Sequence, residues 1–339
     1  MKILFVGGTF GNSGPEQVNK DLVSCFDEEF ATLRTNNKLI EIYDTIVKTL
    51  SSDVIVISGL SGQGIRCAKI GRIFKKPIVF LMHGCVEYEA GINGFNNAGK
   101  AIAIEKALLK KADLILCVSE KFSEWVKDRY TEYSYKIDYL NNGIKKILNS
   151  QCSNEKVNAS KRIIAIGGNR LIKNNIPISS AVVGMPNVKF DVYGKVYPDL
   201  PVAENDNTCY RGEVSQTELH NEMINSDLFV LNSVFETFSL AVAEAINCNC
   251  SVLVSSKAGI TGVLSLEETD IINDPQDVNE IRSKIVYLLD NPNNERIAQS
   301  LDYNSLSYDM EVKRLKDKCR TIIKLKKRED LFKNSKDNT

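Results

Sequence analysis

Short apolar runs alternate with helix-like stretches along most of the chain. In the first half the apolar runs are residues 3–6, 54–57, 78–82 and 114–118. Helical patterns lie between them, near residues 15–26, 38–50, 64–74, 100–111 and 119–130. Strands that alternate with helices predict a parallel sheet covered by helices on both faces. Ligands of such sheets bind beyond the carboxyl ends of the strands.

The chain has 339 residues, too many for one ordinary hydrophobic core, so two domains are expected. Residues 149–161 are polar and rich in Ser, Asn and Lys, as is typical of a linker. The alternating pattern restarts at residue 163. We therefore predict a first lobe of residues 1–148, a second lobe of residues 162–308, and a C-terminal helix and basic tail over residues 309–339 that crosses back to the first lobe.

A glycine-rich turn follows the first apolar run of each lobe. Residues 7–14 contain four glycines and lead into a predicted helix, and Gly167-Gly168 is followed by Arg170 and Lys173. Glycine lets a phosphate approach the backbone, although glycines at such turns also serve tight packing alone. The dinucleotide fingerprint Gly-x-Gly-x-x-Gly and a Walker lysine are absent from the first turn, which disfavours a nicotinamide or ATP site.

The most informative stretch is residues 228–254, where an apolar run, a polar loop, a helical pattern and a second apolar run follow one another. We expect a helix to begin near Ser239, with its free N–H groups directed toward the loop of Glu236. Glu244 lies about two turns along that helix, so both carboxylates are expected to face one ligand. The alternative is that they are two solvated helix charges.

This stretch resembles the Glu-x7-Glu signature of retaining GT-B glycosyltransferases, in particular glycosyltransferase family 4 of the group 1 type. The resemblance spans most of the chain and is strongest over residues 163–254. It implies an α/β fold of two doubly wound Rossmann-like lobes facing across a cleft. It also implies transfer of a hexose from a nucleotide diphosphate sugar, UDP-linked by preference, to a hydroxyl of a glycan or lipid-linked acceptor, in the assembly of a bacterial surface polysaccharide.

The resemblance also implies roles for individual residues. Arg170 and Lys173 would hold the diphosphate, Glu236 the sugar hydroxyls, Glu244 the ribose hydroxyls, and His83, directly after an apolar run, the far side of the sugar. These implied catalytic residues are Glu236, His83, Arg170 and Lys173. The implied nucleotide-sugar-binding residues are Gly14, Gly168, Arg170, Lys173, Gly212, Val214, Glu236, Thr237, Phe238, Ser239, Leu240 and Glu244.

Two features depart from the family pattern. The spacing between Arg170 and Lys173 is shorter than is usual, and residues 255–262 replace the Gly-Gly turn that relatives commonly carry. Two further residues and one segment carry lesser expectations. We interpret Glu105 as a structural or surface charge and His220 as a surface residue, and residues 84–98, after His83, as a long loop.

Composition narrows the functional classes. The 43 basic and 43 acidic residues cancel, which disfavours a nucleic-acid partner. Nine cysteines without Cys-x-x-Cys indicate reduced, cytosolic thiols. Neither a signal peptide nor a membrane-spanning run is expected. No Asp-x-Asp follows an apolar run, so we predict no metal and no cofactor other than the donor substrate itself.

Positive charge is concentrated near the C-terminus, where residues 311–334 hold ten Lys or Arg and four acids. Such a segment predicts peripheral contact with an anionic membrane, at the inner face of the cell membrane. The alternative is a helix that packs on the lobes with its lysines in water. Two other functions stay open at this point: a nucleotide-sugar epimerase on the same fold, and a degenerate transferase that acts as a non-catalytic partner subunit.

Overall fold

The computed structural model describes residues 1–11, 13–33, 38–146, 160–203 and 205–336, with the side chains of residues 38–39 and 329–336 excluded. The predicted linker, residues 149–161, lies almost wholly outside the described residues. The chain divides into two compact units. The first comprises Met1–Ala90, Phe95–Gly143 and Asn304–Thr339, and the second comprises Gly91–Gly94 and Ile144–Tyr303.

Within the described residues, the first unit forms a six-stranded parallel sheet in the order β2-β1-β3-β4-β5-β6. Its strands are β1 (Ile3–Gly7), β2 (Phe30–Thr32), β3 (Val54–Ser58), β4 (Ile78–Met82), β5 (Leu114–Cys117) and β6 (Ile137–Tyr139). The helices over the same part of the chain are α1 (Gly14–Ser24), α2 (Lys38–Ser51), α3 (Gly62–Ile73), α4 (Val86–Asn93), α5 (Gly99–Lys111) and α6 (Glu120–Arg129).

The second unit forms a six-stranded sheet, again counted over the described residues, in the order β12-β11-β10-β7-β8-β9. Its strands are β7 (Lys161–Ile166), β8 (Val188–Tyr193), β9 (Thr208–Gly212), β10 (Leu228–Leu231), β11 (Ser251–Ser255) and β12 (Ile271–Ile272). The helices are α7 (Asn175–Ala181), α8 (Gln216–Ile224), α9 (Leu240–Asn247), α10 (Val278–Asp290) and α11 (Asn294–Ser300). A last helix, α12 (Tyr308–Lys336), belongs to the first unit.

The central strands are apolar because helices cover both of their faces. All five residues of β3 and of β4 are buried, as are those of β10 and β11. Parallel strands buried on both faces are expected to be continuous apolar runs rather than alternating ones. The predicted α/β class, two doubly wound Rossmann-like units, is therefore confirmed.

The strand order brings three loops together in each unit. In the first unit β1, β3 and β4 are neighbours, so the residues that follow them, including His83, lie at one edge of the sheet. In the second unit β10, β7 and β8 are neighbours, so the turn after β7 lies beside the loop after β10. These are the carboxyl edges at which doubly wound sheets bind ligands.

The prediction of a long loop over residues 84–98 is wrong, because this segment contains α4. Its first turn is held by the carboxylates of buried Glu105 and of half-buried Glu89. The Val86 N–H donates to Glu105 Oε2 over 2.7 Å, and the Cys85 N–H donates to Glu89 Oε1 over 3.1 Å. Carboxylates that satisfy the first N–H groups of a helix stabilise its start.

Helix α12 packs on the first unit along an apolar stripe. Val312, Leu315 and Cys319 are buried on this side of the helix. Lys316 pairs with Asp27, and Lys318 pairs with Asp138. The apolar stripe holds the helix in place, and the ion pairs at its margins fix its register. In the part of the chain that the structure describes, no helix is both long enough and apolar enough to cross a membrane.

Candidate functional site

The turn after β7 has a backbone that only glycine adopts comfortably. Gly167 and Gly168 have φ angles of +116° and +62°. A Cβ atom on Gly168 would lie 1.9 Å from the carbonyl oxygen of Lys195, so no other residue fits there. The two glycines therefore let the turn pack directly against the loop after β8.

Two cations follow this turn. Arg170 Nε donates to the Gly167 carbonyl oxygen over 3.3 Å, and this bond fixes the guanidinium beside the turn. One turn of 3-10 helix, Leu171–Lys173, then brings Lys173 back over Gly167. A Cβ atom on Gly167 would lie 2.6 Å from Lys173 Cγ, so the glycine is also required by the lysine stem. Both predicted diphosphate ligands thus lie on one turn.

Lys173 also joins this turn to the loop after β10. Its ammonium group forms an ion pair with Glu236 Oε2. Each of the two side chains is 16% exposed, so the pair is partly shielded from water. Ser233 Oγ donates to the same carboxylate over 3.5 Å. The structure therefore brings three predicted catalytic residues, Arg170, Lys173 and Glu236, to one edge of the second sheet.

The segment that departs from the family pattern, residues 255–262, supports the Glu236 loop through its backbone. The Gly259 N–H donates to the Glu236 carbonyl oxygen over 2.9 Å, and the Ile260 N–H donates to that of Phe238 over 2.8 Å. Glu236 and Ala258 also form an isolated parallel bridge. Backbone hydrogen bonds do not depend on side-chain identity, so this support does not require the Gly-Gly turn of the relatives.

Helix α9 begins directly after this loop, and the prediction of a helix start near Ser239 is confirmed. Ser239 has a φ angle of +93°, which is strained for a residue with a side chain. The strained residue ends the loop and turns the chain into the helix. The first N–H groups of α9 have no acceptor within the helix and suit an anion or a sugar oxygen.

Glu244 has different partners from Glu236. Gln216 Nε2 donates to Glu244 Oε1 over 3.5 Å, and His220 Nε2 lies 3.8 Å from Glu244 Oε2, both on α8. His220, expected at the surface, is half-buried: its side chain is 20% exposed and lies beside Glu244. Burial lowers the pKa of His220, which favours the neutral ring.

Sequence reasoning missed Asn232, whose side chain also holds this edge of the sheet together. This fully buried side chain follows β10 and donates to the carbonyl oxygens of Asn174 and Pro275 over 3.0 and 2.9 Å. It therefore ties the residue after Lys173 to the loop that carries Glu236. An asparagine directly after an apolar strand was the available signal.

Gly212 and Val214, two of the implied nucleotide-sugar-binding residues, lie at the end of the edge strand β9 and shortly after it. Gly212 ends β9 with a φ angle of +77°, and its carbonyl oxygen accepts the Gly194 N–H over 2.8 Å. A cavity of about 680 Å³ runs along β9 and is lined by Val196, Thr208 and Tyr210 among others, but not by Gly212 or Val214. The cavity therefore does not by itself identify a base site.

The glycine-rich turn of the first unit differs in charge. Gly14 begins α1 with open space around it, but the Glu16 carboxylate lies over the turn. A Cβ atom on Gly11 would lie 2.1 Å from Glu16 Oε2. The Ser13 hydroxyl and N–H both donate to this carboxylate and lower the pKa of Glu16, so it stays ionised. A negative charge at this position disfavours a phosphate.

His83 and Glu105 are two further residues that the sequence analysis singled out, and they differ in role. His83 follows β4, contacts Ser58 Oγ through Nε2 over 2.7 Å, and has its pKa lowered to about 4 by burial. Glu105 is fully buried, where its carboxylate accepts the Val86 N–H, and burial raises its pKa. Glu105 is thus a structural charge and not a surface one.

The remaining groups are potential metal ligands and the cysteines. Over the described residues, no three His, Cys, Asp or Glu side chains are grouped as metal ligands would be. The cysteines described are all free thiols.

Part of the second unit matches a known protein family. Residues 202–305 match the family model described as glycosyl transferases group 1. No curated protein matches the sequence at a significant level. The matched segment contains the loop of Glu236, helix α9 and the supporting segment 255–262.

Solved structures share the fold at low sequence identity. HepE from Anabaena in complex with UDP is 13% identical, with a TM-score of 0.68, and the match covers 95% of this chain and 100% of that one. A sucrose-phosphate synthase from Thermosynechococcus elongatus is 14% identical with a TM-score of 0.66, over 96% and 100%. WaaG, described as a glycosyltransferase involved in lipopolysaccharide biosynthesis, is 14% identical with a TM-score of 0.58, over 90% and 97%. The chain thus has the GT-B fold, and residues 202–305 carry the group 1 glycosyl transferase pattern.

Proposed function

We propose that this protein is a retaining glycosyltransferase that moves a hexose from a UDP-linked sugar to a hydroxyl of a glycan or lipid-linked acceptor. The observation that carries the proposal is the cluster of Arg170, Lys173 and Glu236 beside the start of α9. Two cations and free helix N–H groups suit a diphosphate, and a carboxylate suits sugar hydroxyls.

The reaction requires stabilisation of a leaving diphosphate and of a developing oxocarbenium ion. Arg170, Lys173 and the start of α9 would stabilise the leaving charge. Glu236 would hold sugar hydroxyls and act as a positioning group rather than as a nucleophile, and Glu244 would hold the ribose hydroxyls. Lys173 is paired with Glu236, so a bound donor would share or replace this ion pair.

The comparisons support the choice of donor and pathway. HepE has been solved with UDP and with UDP-glucose, and WaaG is involved in lipopolysaccharide biosynthesis. We therefore propose a uridine donor and a role in bacterial surface polysaccharide assembly, in the cytoplasm. We also propose that turnover needs no divalent metal, because Arg170 and Lys173 supply the positive charge that a metal would otherwise supply.

The test is release of nucleoside diphosphate by the purified protein. Nucleotide sugars are first screened by thermal shift, and the stabilising donor is then incubated with an acceptor mixture in excess chelator. We expect free UDP and a glycosylated acceptor. Isomerised nucleotide sugar without free UDP would support the epimerase instead, and binding without turnover would support the non-catalytic subunit. Complete loss of turnover in chelator, restored by magnesium or manganese, contradicts metal independence.

The structure favours a catalytic protein over a degenerate one. The departure of residues 255–262 from the family pattern was the sequence feature that favoured degeneration. Because this segment still holds the Glu236 loop through Gly259 and Ile260, its departure from the family pattern no longer favours a degenerate protein.

A second proposal concerns peripheral contact of the first unit with an anionic membrane. The Asp113 carboxylate pairs with Arg72 over 3.0 Å and with Lys326 over 2.5 Å, which links the end of α3 to α12. Ile73 and Phe74, at the end of α3, are 75% and 51% exposed. We name this the α3–α12 surface, and it comprises Arg72, Ile73, Phe74, Lys75, Lys324, Leu325, Lys326, Lys327 and Arg328.

Two properties of the α3–α12 surface suit a bilayer. Exposed apolar side chains can enter the interface between headgroups and acyl chains, and lysines are attracted to anionic lipids. The buried stripe of α12 ends before this surface, since its last fully buried member is Cys319 and Leu325 is 48% exposed. The packing role of α12 and its membrane role therefore use different parts of the same helix.

A further inference from the structure

A chain of hydrogen bonds inside the first unit leads to His83. Asn19 on α1 is buried, and its Nδ2 donates to the Gly8 carbonyl oxygen over 3.0 Å. Ser58, the buried last residue of β3, bonds to Asn19 Oδ1 on one side and lies 2.7 Å from His83 Nε2 on the other. The chain therefore runs from a backbone carbonyl through two buried side chains to the imidazole ring.

The Gly8 carbonyl sets the direction of every bond in this chain. A carbonyl oxygen only accepts, so the Asn19 amide must turn its NH₂ group toward Gly8 and its oxygen toward Ser58. The opposite amide orientation would place two acceptors against each other. The single hydroxyl proton of Ser58 is therefore donated to Asn19, and the Ser58 oxygen is left to accept from His83.

We infer that Asn19 and Ser58 are positioning residues that hold His83 in the tautomer protonated at Nε2, so that Nδ1 is the acceptor of the ring. A group that hydrogen-bonds to Nδ1 must then be a donor. A hydroxyl or an N–H group is such a donor. A carbonyl, carboxylate or phosphate oxygen is disfavoured at this atom.

Two further observations agree with a fixed neutral ring. Burial lowers the pKa of His83 to about 4, so the ring is uncharged at neutral pH. Gly7 passes closely over the chain of bonds, and a Cβ atom there would lie 2.8 Å from Asn19 Nδ2 and 3.0 Å from Ser58 Cβ. At least this glycine of the first glycine-rich turn is therefore explained by packing against the Asn19–Ser58 bond, without a phosphate.

The test is nitrogen NMR of histidine-labelled protein, which reports directly which ring nitrogen carries the proton. The chain has two histidines, so a His220→Gln variant assigns both sets of signals. We expect His83 at neutral pH to show a protonated Nε2 and an unprotonated Nδ1. An imidazolium ring, or a proton on Nδ1, overturns the inference in the unmodified protein, without any variant that has to fold.

Two variants separate positioning from packing. Ser58→Ala removes the acceptor of Nε2, and we expect the His83 signals to show a mixture of tautomers. Asn19→Asp keeps an acceptor for the Ser58 hydroxyl, so we expect the tautomer to persist even if the loss of the bond to Gly8 lowers the melting temperature. A Ser58→Ala protein with an unchanged tautomer contradicts the relay. The NMR readout does not need turnover, so it distinguishes failure of the relay from failure of the proposed transferase activity.

Discussion

Each of the two units has a glycine-rich turn, and the two turns carry opposite charge. Each has a glycine-rich turn after the strand that starts its alternating pattern, β1 in the first unit and β7 in the second. In the first unit the Glu16 carboxylate lies over the turn, and Gly7 packs on the Asn19–Ser58 bond. In the second unit Arg170 and Lys173 follow the turn, and Gly167 packs on the lysine stem. One glycine-rich turn is thus anionic and the other cationic.

The difference shows that glycine content alone does not identify a phosphate site. Glycine permits a close approach, but the neighbouring charges decide what approaches. The first unit has an ionised acid and a neutral imidazole at its carboxyl edge, a set that suits hydroxyl groups. The second has the cations, and we accordingly propose that the diphosphate binds there and not at the first turn.

The largest expected effect comes from the cationic turn. Arg170→Ala and Glu236→Gln should each lower kcat at least about a hundredfold, since loss of one preorganised contact to the reacting centre commonly costs roughly 3 kcal/mol. Steady-state kinetics with the donor from the nucleotide screen gives the measurement. Lys189→Ala and Glu218→Gln, both exposed on the same unit, serve as controls and should be near normal. A near-normal Glu236→Gln enzyme would mean that the site is wrongly placed.

The next effect is on stability and contrasts two buried groups of the first unit. The pKa of His83 is lowered from 6.5 to about 4, so the unfolded chain binds a proton that the folded one does not, and the free energy of unfolding falls as the pH drops through this window. The pKa of Glu311 is raised from 4.5 to about 7 by burial, so stability is lost as the pH rises through that window.

Urea unfolding as a function of pH measures both slopes. Each can reach about 3 kcal/mol, an upper bound because neighbouring charges relax. Glu311→Gln should flatten the loss between pH 4.5 and 7, and His83→Gln should flatten the loss in acid. His220→Gln should also flatten the acid limb, since the pKa of His220 is lowered by burial as well. Unchanged slopes in the Glu311 and His83 variants would contradict the burial assigned to them.

A smaller effect concerns the outer surface of the first unit. The Lys324→Glu/Lys327→Glu variant should lose most binding to anionic vesicles, since each lysine near an anionic surface contributes roughly 1 kcal/mol and reversal of sign adds repulsion. Flotation with phosphatidylglycerol and with phosphatidylcholine vesicles, at low and high salt, gives the measurement. Lys189→Glu/Lys313→Glu changes the net charge equally and should retain binding. Binding that ignores lipid charge would leave α12 a packing helix only.

The smallest expected effect comes from the anionic turn. Glu16→Gln removes the charge but keeps the bonds to Ser13 weakly, so it should cost about 1 kcal/mol of stability and leave turnover within about twofold. Thermal unfolding and donor kinetics on the same preparation give both values. If Glu16→Gln strongly alters donor affinity, the first turn contacts the nucleotide after all.

Sequence patterns predicted the layered fold because the buried strands are long apolar runs that only helices on both faces can cover. They also located Glu236 and the start of α9, since a polar loop between an apolar run and small helix formers has few other structures. They failed where partners are distant in sequence. Helix α4 depends on Glu105, and His220 is half-buried beside Glu244, and neither contact leaves a local signal. The charge of each turn was not predicted for a similar reason. It depends on which side chain lies over the glycines, Glu16 in the first unit and Lys173 in the second.

The central claim, that the second unit binds a diphosphate through Arg170 and Lys173, is tested most directly by calorimetry with uridine, UMP and UDP. We predict that UDP binds the unmodified protein roughly tenfold or more tightly than UMP, and that Arg170→Ala removes most of this preference while affinity for uridine stays the same. Equal affinities for UDP and UMP, or a preference that survives in Arg170→Ala, would contradict the account.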